Sequence, residues 1–230
     1  MKTIAIAGGL LASAVLLTGC GLGDIGGPTN QDTTSYEVAN KVTKLQLESH
    51  AGDTVLTETG GTAVRVIEKL RWRGDSKPKP EHKVEGGVLF VTYTCPTNWG
   101  SCGVDYEIEV PKGLTVDLDS GSGNITLRAL TGDIDVHVGS GDVDASDLAG
   151  KKVIAEAGSG NVKLKYTTAP VSAQLKAGSG DIVLNVPDGP YDVKTETGSG
   201  DATVSVKDDG SSPNKISLSA GSGNVSVLPG

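Results

Sequence analysis

Six times in its second half this chain places an amide or a carboxylate directly after Gly-Ser-Gly: Asn124, Asp142, Asn161, Asp181, Asp201 and Asn224. Recurring side chains of this type support one of two chemistries. Converging oxygens bind a hard cation, and calcium takes about six to eight of them. Alternatively, a short polar side chain beside glycine hydrogen-bonds the local backbone and makes a turn. Calcium-binding glycine-rich repeats have a nine-residue unit of the form G-G-x-G-x-D. Here the acid follows glycine directly, and the copies start at 121, 139, 158, 178, 198 and 221. If the copies stack, neighbouring carboxylates repel, and interleaved Asn relieves the repulsion. Turn chemistry is the reading; no cofactor or metal is expected, with calcium as the alternative.

Other chemistry is sparse. Paired carboxylates at a set separation cleave glycans, and acids are plentiful, but Asp133, Asp135, Glu156 and Glu196 fall at solvent-facing strand positions. His50, His82 and His137 are scattered, and the serines belong to the corners. Gly-Ser-Gly is followed by a strand pattern rather than a helix, so it is no phosphate cradle. No catalytic residue is assigned, and a non-enzyme is expected. Cys95 and Cys102 flank a turn-like stretch between two alternating runs, and a disulfide is expected across its base. One segment departs from the acidic background of net charge −8. Residues 69–83 carry Lys69, Arg71, Arg73, Lys77, Lys79 and Lys83 against two acids, with Trp72 among them. This stretch reads as a loop that could touch an anionic ligand, such as a lipid headgroup or wall polymer. A chain this acidic is a poor partner for nucleic acid.

These residues need strands to position them. Apolar pairs follow each corner, as in Ile125 and Leu127, and precede it, as in Val136 and Val138. The parity is informative. Val138 and Val143 lie an odd number of positions apart, so a straight strand would put them on opposite faces. Both can face inward only if the chain bends at Gly-Ser-Gly. The far end of each repeat varies in length, as in 148–152 and 206–215. One fixed corner and one variable corner per repeat of about 20 residues describe an all-β, right-handed β-solenoid, its coils about 4.8 Å apart. An antiparallel meander is the rival. Six of the eight aromatics lie between Tyr36 and Tyr106. The first half is therefore an aromatic-richer β portion, either a cap or a set of less regular coils.

At the N-terminus, Lys2 precedes an apolar run from Ile4 to Leu17 that is short for a membrane span. The ending Leu17-Thr18-Gly19-Cys20 resembles the lipobox of bacterial lipoproteins. That resemblance implies removal of a signal peptide, 1–19, and a lipid thioether on Cys20, hence a membrane anchor on the extracytoplasmic face. Residues 20–41 are then the lipidated cysteine and a flexible tether. Residues 42–230 form one domain, with irregular strands or a cap at 42–110 and the repeat array at 111–230.

The run VDYEIEVPKGLTVDLDSGSGNITLRALTGDIDVHVGSGDVDASDLAGKKVIAEAGSGNVKL is similar to the bacterial "putative adhesin" domain-of-unknown-function family, known for recurring S-G-D-I and S-G-D-V units. The resemblance spans about residues 42–228 and implies a right-handed β-helix-like surface domain, with no catalytic residues to carry over. The expectation is a non-enzymatic, lipid-anchored envelope protein that binds or scaffolds at the surface, with wall polymer or an envelope protein as partner. Envelope-stress sensing through a membrane protein is the alternative, and a wall-glycan enzyme is the third reading.

Overall fold

Strict apolar–polar alternation specifies strands with one buried face, and every regular element found is a strand. The computed structural model describes residues 29–39, 41–96 and 102–230. The N-terminal portion comprises β1 (Thr29–Val38), β2 (Lys44–Ala51), β3 (Thr54–Thr59), β4 (Val64–Arg73), β5 (Lys79–Glu85), β6 (Val88–Thr94) and β7 (Cys102–Pro111). The repeats begin with β8 (Thr115–Ser122), β9 (Ile125–Arg128), β10 (Ile134–Ser140), β11 (Val143–Leu148), β12 (Lys152–Ser159) and β13 (Val162–Tyr166). They continue with β14 (Ser172–Ser179), β15 (Ile182–Val186), β16 (Pro190–Ser199), β17 (Ala202–Val204), β18 (Lys207–Asp208), β19 (Lys215–Ser222) and β20 (Val225–Pro229).

The strands form two ten-stranded sheets around a shared apolar core. In each repeat the strand entering Gly-Ser-Gly lies in one sheet and the strand leaving it lies in the other. Repeat pairs with repeat in parallel: Val136 lies opposite Ala155, and Val143 opposite Val162. Parallel pairing through the array excludes the meander and gives a solenoid-like stack. Val138 and Val143 are 4% and 1% exposed, so the corner does return both to the core. Gly160 shows why glycine is needed there. Its φ is +140°, and a Cβ would sit 2.0 Å from the carbonyl oxygen of Gly141 in the neighbouring repeat.

Chain order and spatial order part company at both ends. The repeat β19–β20 is inserted between β14–β15 and the terminal β16–β17, so the last copy in sequence is the penultimate copy in space. At the other end β2 pairs in parallel with both β6 and β8, and β3 with both β7 and β9. The N-terminal portion therefore supplies two repeats of the stack. Its cap is antiparallel: β4 between β1 and β7, and β5 on β6. Pro80 is tolerated because β5 is an edge strand.

Two expectations are corrected. Residues 29–38 of the expected tether form β1, because an amphipathic run with Tyr36 and Val38 finds the open edge of β4. The expected basic loop is largely two strands, β4 and β5, in different sheets, joined by a turn. The aromatic-poor second half still buries Tyr166 and Tyr191 fully, at its wider variable corners.

Candidate functional site

The corner residues form a continuous ladder along the edge of the stack. Each side chain accepts, through Oδ1, the main-chain N–H of the next rung. Asp53 donates to Asp105 at 2.9 Å, Asn124 to Asp53 at 2.8 Å, and Asp142 to Asn124 at 3.0 Å. Asn161 donates to Asp142 at 2.7 Å and Asp181 to Asn161 at 2.9 Å. Asn224 donates to Asp181 at 2.7 Å, and Asp201 to Asn224 at 2.9 Å. From Asp53 onward acids and amides alternate strictly. The inserted repeat makes this possible: in chain order Asp181 and Asp201 would be neighbours. The Asn161 and Asn224 side chains also donate Nδ2 to Asp142 and Asp181. The one adjacent pair of acids, Asp53 and Asp105, lies where Arg71 pairs with Asp105. The expected column at 124, 142, 161, 181, 201 and 224 thus exists, in a different order. It satisfies backbone N–H groups, and among the described residues no three metal-ligating side chains converge.

Sequence reading missed the Asp53 and Asp105 rungs. The signal was present in Ala51-Gly52-Asp53, followed by the alternating Thr-Val-Leu, but the leading Gly-Ser is absent. Gly52 has φ +128°, the corner conformation.

The basic residues are mostly occupied. Lys69 pairs with Glu107, Arg71 with Asp105, and Lys83 with Glu85. Lys77 pairs with Asp32 at 2.6 Å, holding its carboxyl below the usual range, and lies over Trp72. Among the described residues no ion pair holds Arg73 or Lys79. The seven residues thus do not form one open basic patch. Cys95 and Cys102 are joined as a disulfide, with their Cα atoms 6.2 Å apart. Cys20 lies outside the described residues.

A shallow groove runs across β10, β12 and β14 beside the corner. Gly139, Gly158 and Gly178 floor it, and His137, Glu156 and Lys176 wall it. Glycine is enforced there because a Cβ on Gly158 would lie 2.6 Å from the oxygen of Gly139. His137 sits between Asp135 and Glu156, at 3.0 and 3.5 Å. Lys176 reaches Glu156 at 2.7 Å, and that hydrogen bond holds the Glu156 carboxyl below its usual range. Asp119 continues the line. This surface offers adjacent positive and negative groups at the spacing of parallel strands, open to solvent.

Glu68 is a buried carboxyl, 2% exposed, beneath β1. It accepts from Thr34 Oγ1 at 2.8 Å and from Tyr36 Oη at 3.2 Å. Burial pushes it above the usual carboxylate range, against these hydrogen bonds.

An all-β, solenoid-like stack with a polar edge ladder and a flat charged face defines a class of extended scaffold whose surfaces repeat. The chain belongs to the Toastrack DUF4097 family, whose profile matches residues 31–228. Among solved structures it is similar to a "putative cell adhesion protein" from Clostridium sporogenes, at 14% identity and a TM-score of 0.50, covering 88% of this chain and 100% of that one. A "putative adhesin" from Bacteroides fragilis matches at 14% identity and a TM-score of 0.48, covering 86% and 97%. A "Putative lipid binding protein" from Parabacteroides distasonis matches at 13% identity and a TM-score of 0.36, covering 86% and 97%. Among curated proteins nothing matches.

Proposed function

We propose that this chain is a non-enzymatic bacterial envelope protein that presents its stack for surface binding, anchored by a lipid on Cys20 at the extracytoplasmic face of the membrane. The fold in this reading is a right-handed solenoid of about 20-residue coils. The carrying observation is the glycine-floored groove with His137, Glu156 and Lys176 on its wall. Parallel pairing places these side chains on neighbouring strands about 4.8 Å apart. An extended polymer lying across these strands, carrying both hydroxyl and charged groups, meets Asp119, His137, Glu156 and Lys176 in turn, one polar or charged side chain per strand. Wall polymer fits this chemistry better than a small molecule, which needs an enclosed, mostly apolar pocket. The "putative cell adhesion protein" of similar fold is consistent with the reading. The test is binding of residues 28–230 to purified cell walls across salt concentrations. Saturable binding that weakens in His137→Ala with Lys176→Ala supports the groove.

A further inference from the structure

Glu68 lies buried on β4, and among the described residues no cation pairs with it. Both of its carboxylate oxygens are served by one strand alone: Thr34 Oγ1 donates to Oε2 and Tyr36 Oη to Oε1, both from β1. On its other side Tyr106 of β7 stands in register, and the buried Tyr106 Oη has no hydrogen-bond partner among the described residues. A buried carboxyl without a cation is costly to ionise. The strand that covers it is lightly rooted. β1 ends its sheet and pairs only with β4. Its less exposed side chains are Asn30, Asp32, Thr34, Tyr36 and Val38, and only Tyr36 and Val38 bring apolar surface. Lifting β1 breaks no other pairing, because β4 keeps β7. An edge strand of this kind can open while the rest of the fold stays closed.

We propose that β1 is a pH-controlled strap, seated while Glu68 is protonated and lifting from β4 as Glu68 ionises. With β1 gone, water reaches the carboxyl and solvates its charge. Burial under β1 pushes Glu68 above the usual carboxylate range. The seated state therefore binds the proton more tightly than the lifted one, and rising pH favours lifting. The other groups around the cluster do not supply this response. Burial pushes the phenols of Tyr36, Tyr106 and Tyr93 up, so they stay neutral. His82 of β5 stacks on Tyr36 with ring centroids 3.9 Å apart, and burial pushes it down. Its protonation at low pH would loosen β1, the opposite sign. Asp32, at the start of β1, is held below the usual range by Lys77 and keeps its charge. Glu37 faces Arg65 on the outer, exposed side of the sheet.

The position of β1 in the chain gives the strap a use. In the anchored reading proposed above, β1 stands between the lipid and the stack. Residues 21–28 separate Cys20 from Thr29, a span of roughly 30 Å at full extension. Lifting β1 frees residues 29–38 as well, roughly another 30 Å. The strap thus doubles the distance from the membrane at which the groove can work. The gain in reach rests on the lipid anchor; the opening of β1 does not.

The test is hydrogen exchange of the full chain in detergent, read by mass spectrometry and corrected for the intrinsic exchange rate. From mildly acidic to mildly alkaline buffer, the opening constant of residues 30–38 should rise by up to about tenfold per pH unit. Strands β12 and β14 should stay protected. Glu68→Gln should remove the rise. An unchanged opening constant in the wild type, the same rise in Glu68→Gln, or loosening of β12 and β14 in step with β1 overturns the strap. Reach is measured on vesicles, by energy transfer from a dye on Lys163→Cys to labelled lipid headgroups. Transfer should fall as pH rises, and should not in Glu68→Gln. Exchange that responds while transfer does not overturns the control of reach. A chain found without lipid on Cys20 sinks the anchor and the gain in reach together, and leaves the opening of β1 to stand on the exchange result. Wall binding is measured apart, so failure of the strap leaves the groove reading intact.

Discussion

Asn224 gives its main-chain N–H to Asp181 Oδ1 at 2.7 Å, across a sequence separation of 43 residues. Asp201, nearer in sequence, is instead the next rung, donating to Asn224 Oδ1 at 2.9 Å. The insertion of the last repeat thus keeps two carboxylates apart. At a strand spacing of about 4.8 Å they would repel; two strands apart, they stand near a Debye length at physiological salt.

Asn224→Asp should therefore place three acids in consecutive rungs. The expected loss is about 0.5–1 kcal/mol, the scale of like charges on facing strands. Urea unfolding at low and high salt checks it, and the loss should shrink as salt rises. A salt-independent loss would mean that the amide's hydrogen bonds, and not charge spacing, explain the alternation.

Gly160→Ala should destabilise by more than about 3 kcal/mol. It combines an unfavourable φ of +140° with a Cβ 2.0 Å from a backbone oxygen that cannot retreat. Gly210→Ala meets nothing within 4 Å and should stay within about 0.5 kcal/mol of wild type. Thermal melts of the two variants give the comparison.

Glu68 sets a pH dependence. Its carboxyl is raised in the folded state by burial. Its contribution is thus fully present below the unfolded glutamate value and is lost as pH rises through the raised folded value. Stability should decline from mildly acidic pH upward, and Glu68→Gln should flatten the decline. At neutral pH the variant should gain about 1 kcal/mol, its amide oxygen accepting from one of the Thr34 and Tyr36 hydroxyls and its NH2 donating to the oxygen of the other. Denaturation midpoints across pH would decide this.

Removing the disulfide by Cys95→Ser with Cys102→Ser should cost about 2 kcal/mol, the entropy of closing so short a loop. Reductant should lower the wild-type melting temperature by a similar margin and leave the variant unmoved.

The corners were legible because their requirement is local. Gly-Ser-Gly followed by Asn or Asp, with Val138 and Val143 at odd spacing, specifies a bend wherever it occurs. The order of repeats was not legible, because each copy fits any slot in the stack. What distinguishes the slots is contact between distant residues, such as Asn224 with Asp181. The basic residues at 69–83 suggested a ligand loop because charge counts ignore partners. Glu107 and Asp105 lie on β7, and only the antiparallel pairing of β4 with β7 brings them to Lys69 and Arg71. Strand β1 was missed for a related reason. Its alternation is weak, and its partner edge exists only once β4 has joined β7.

The most direct measurement is binding of residues 28–230 to purified cell walls, at low and high salt, beside the His137→Ala, Lys176→Ala double variant. The account expects saturable binding that falls with salt and drops at least about tenfold in the variant, with Arg73→Ala and Lys79→Ala having smaller effects. Absence of binding at every salt concentration, or binding unchanged in the groove variant, would contradict it.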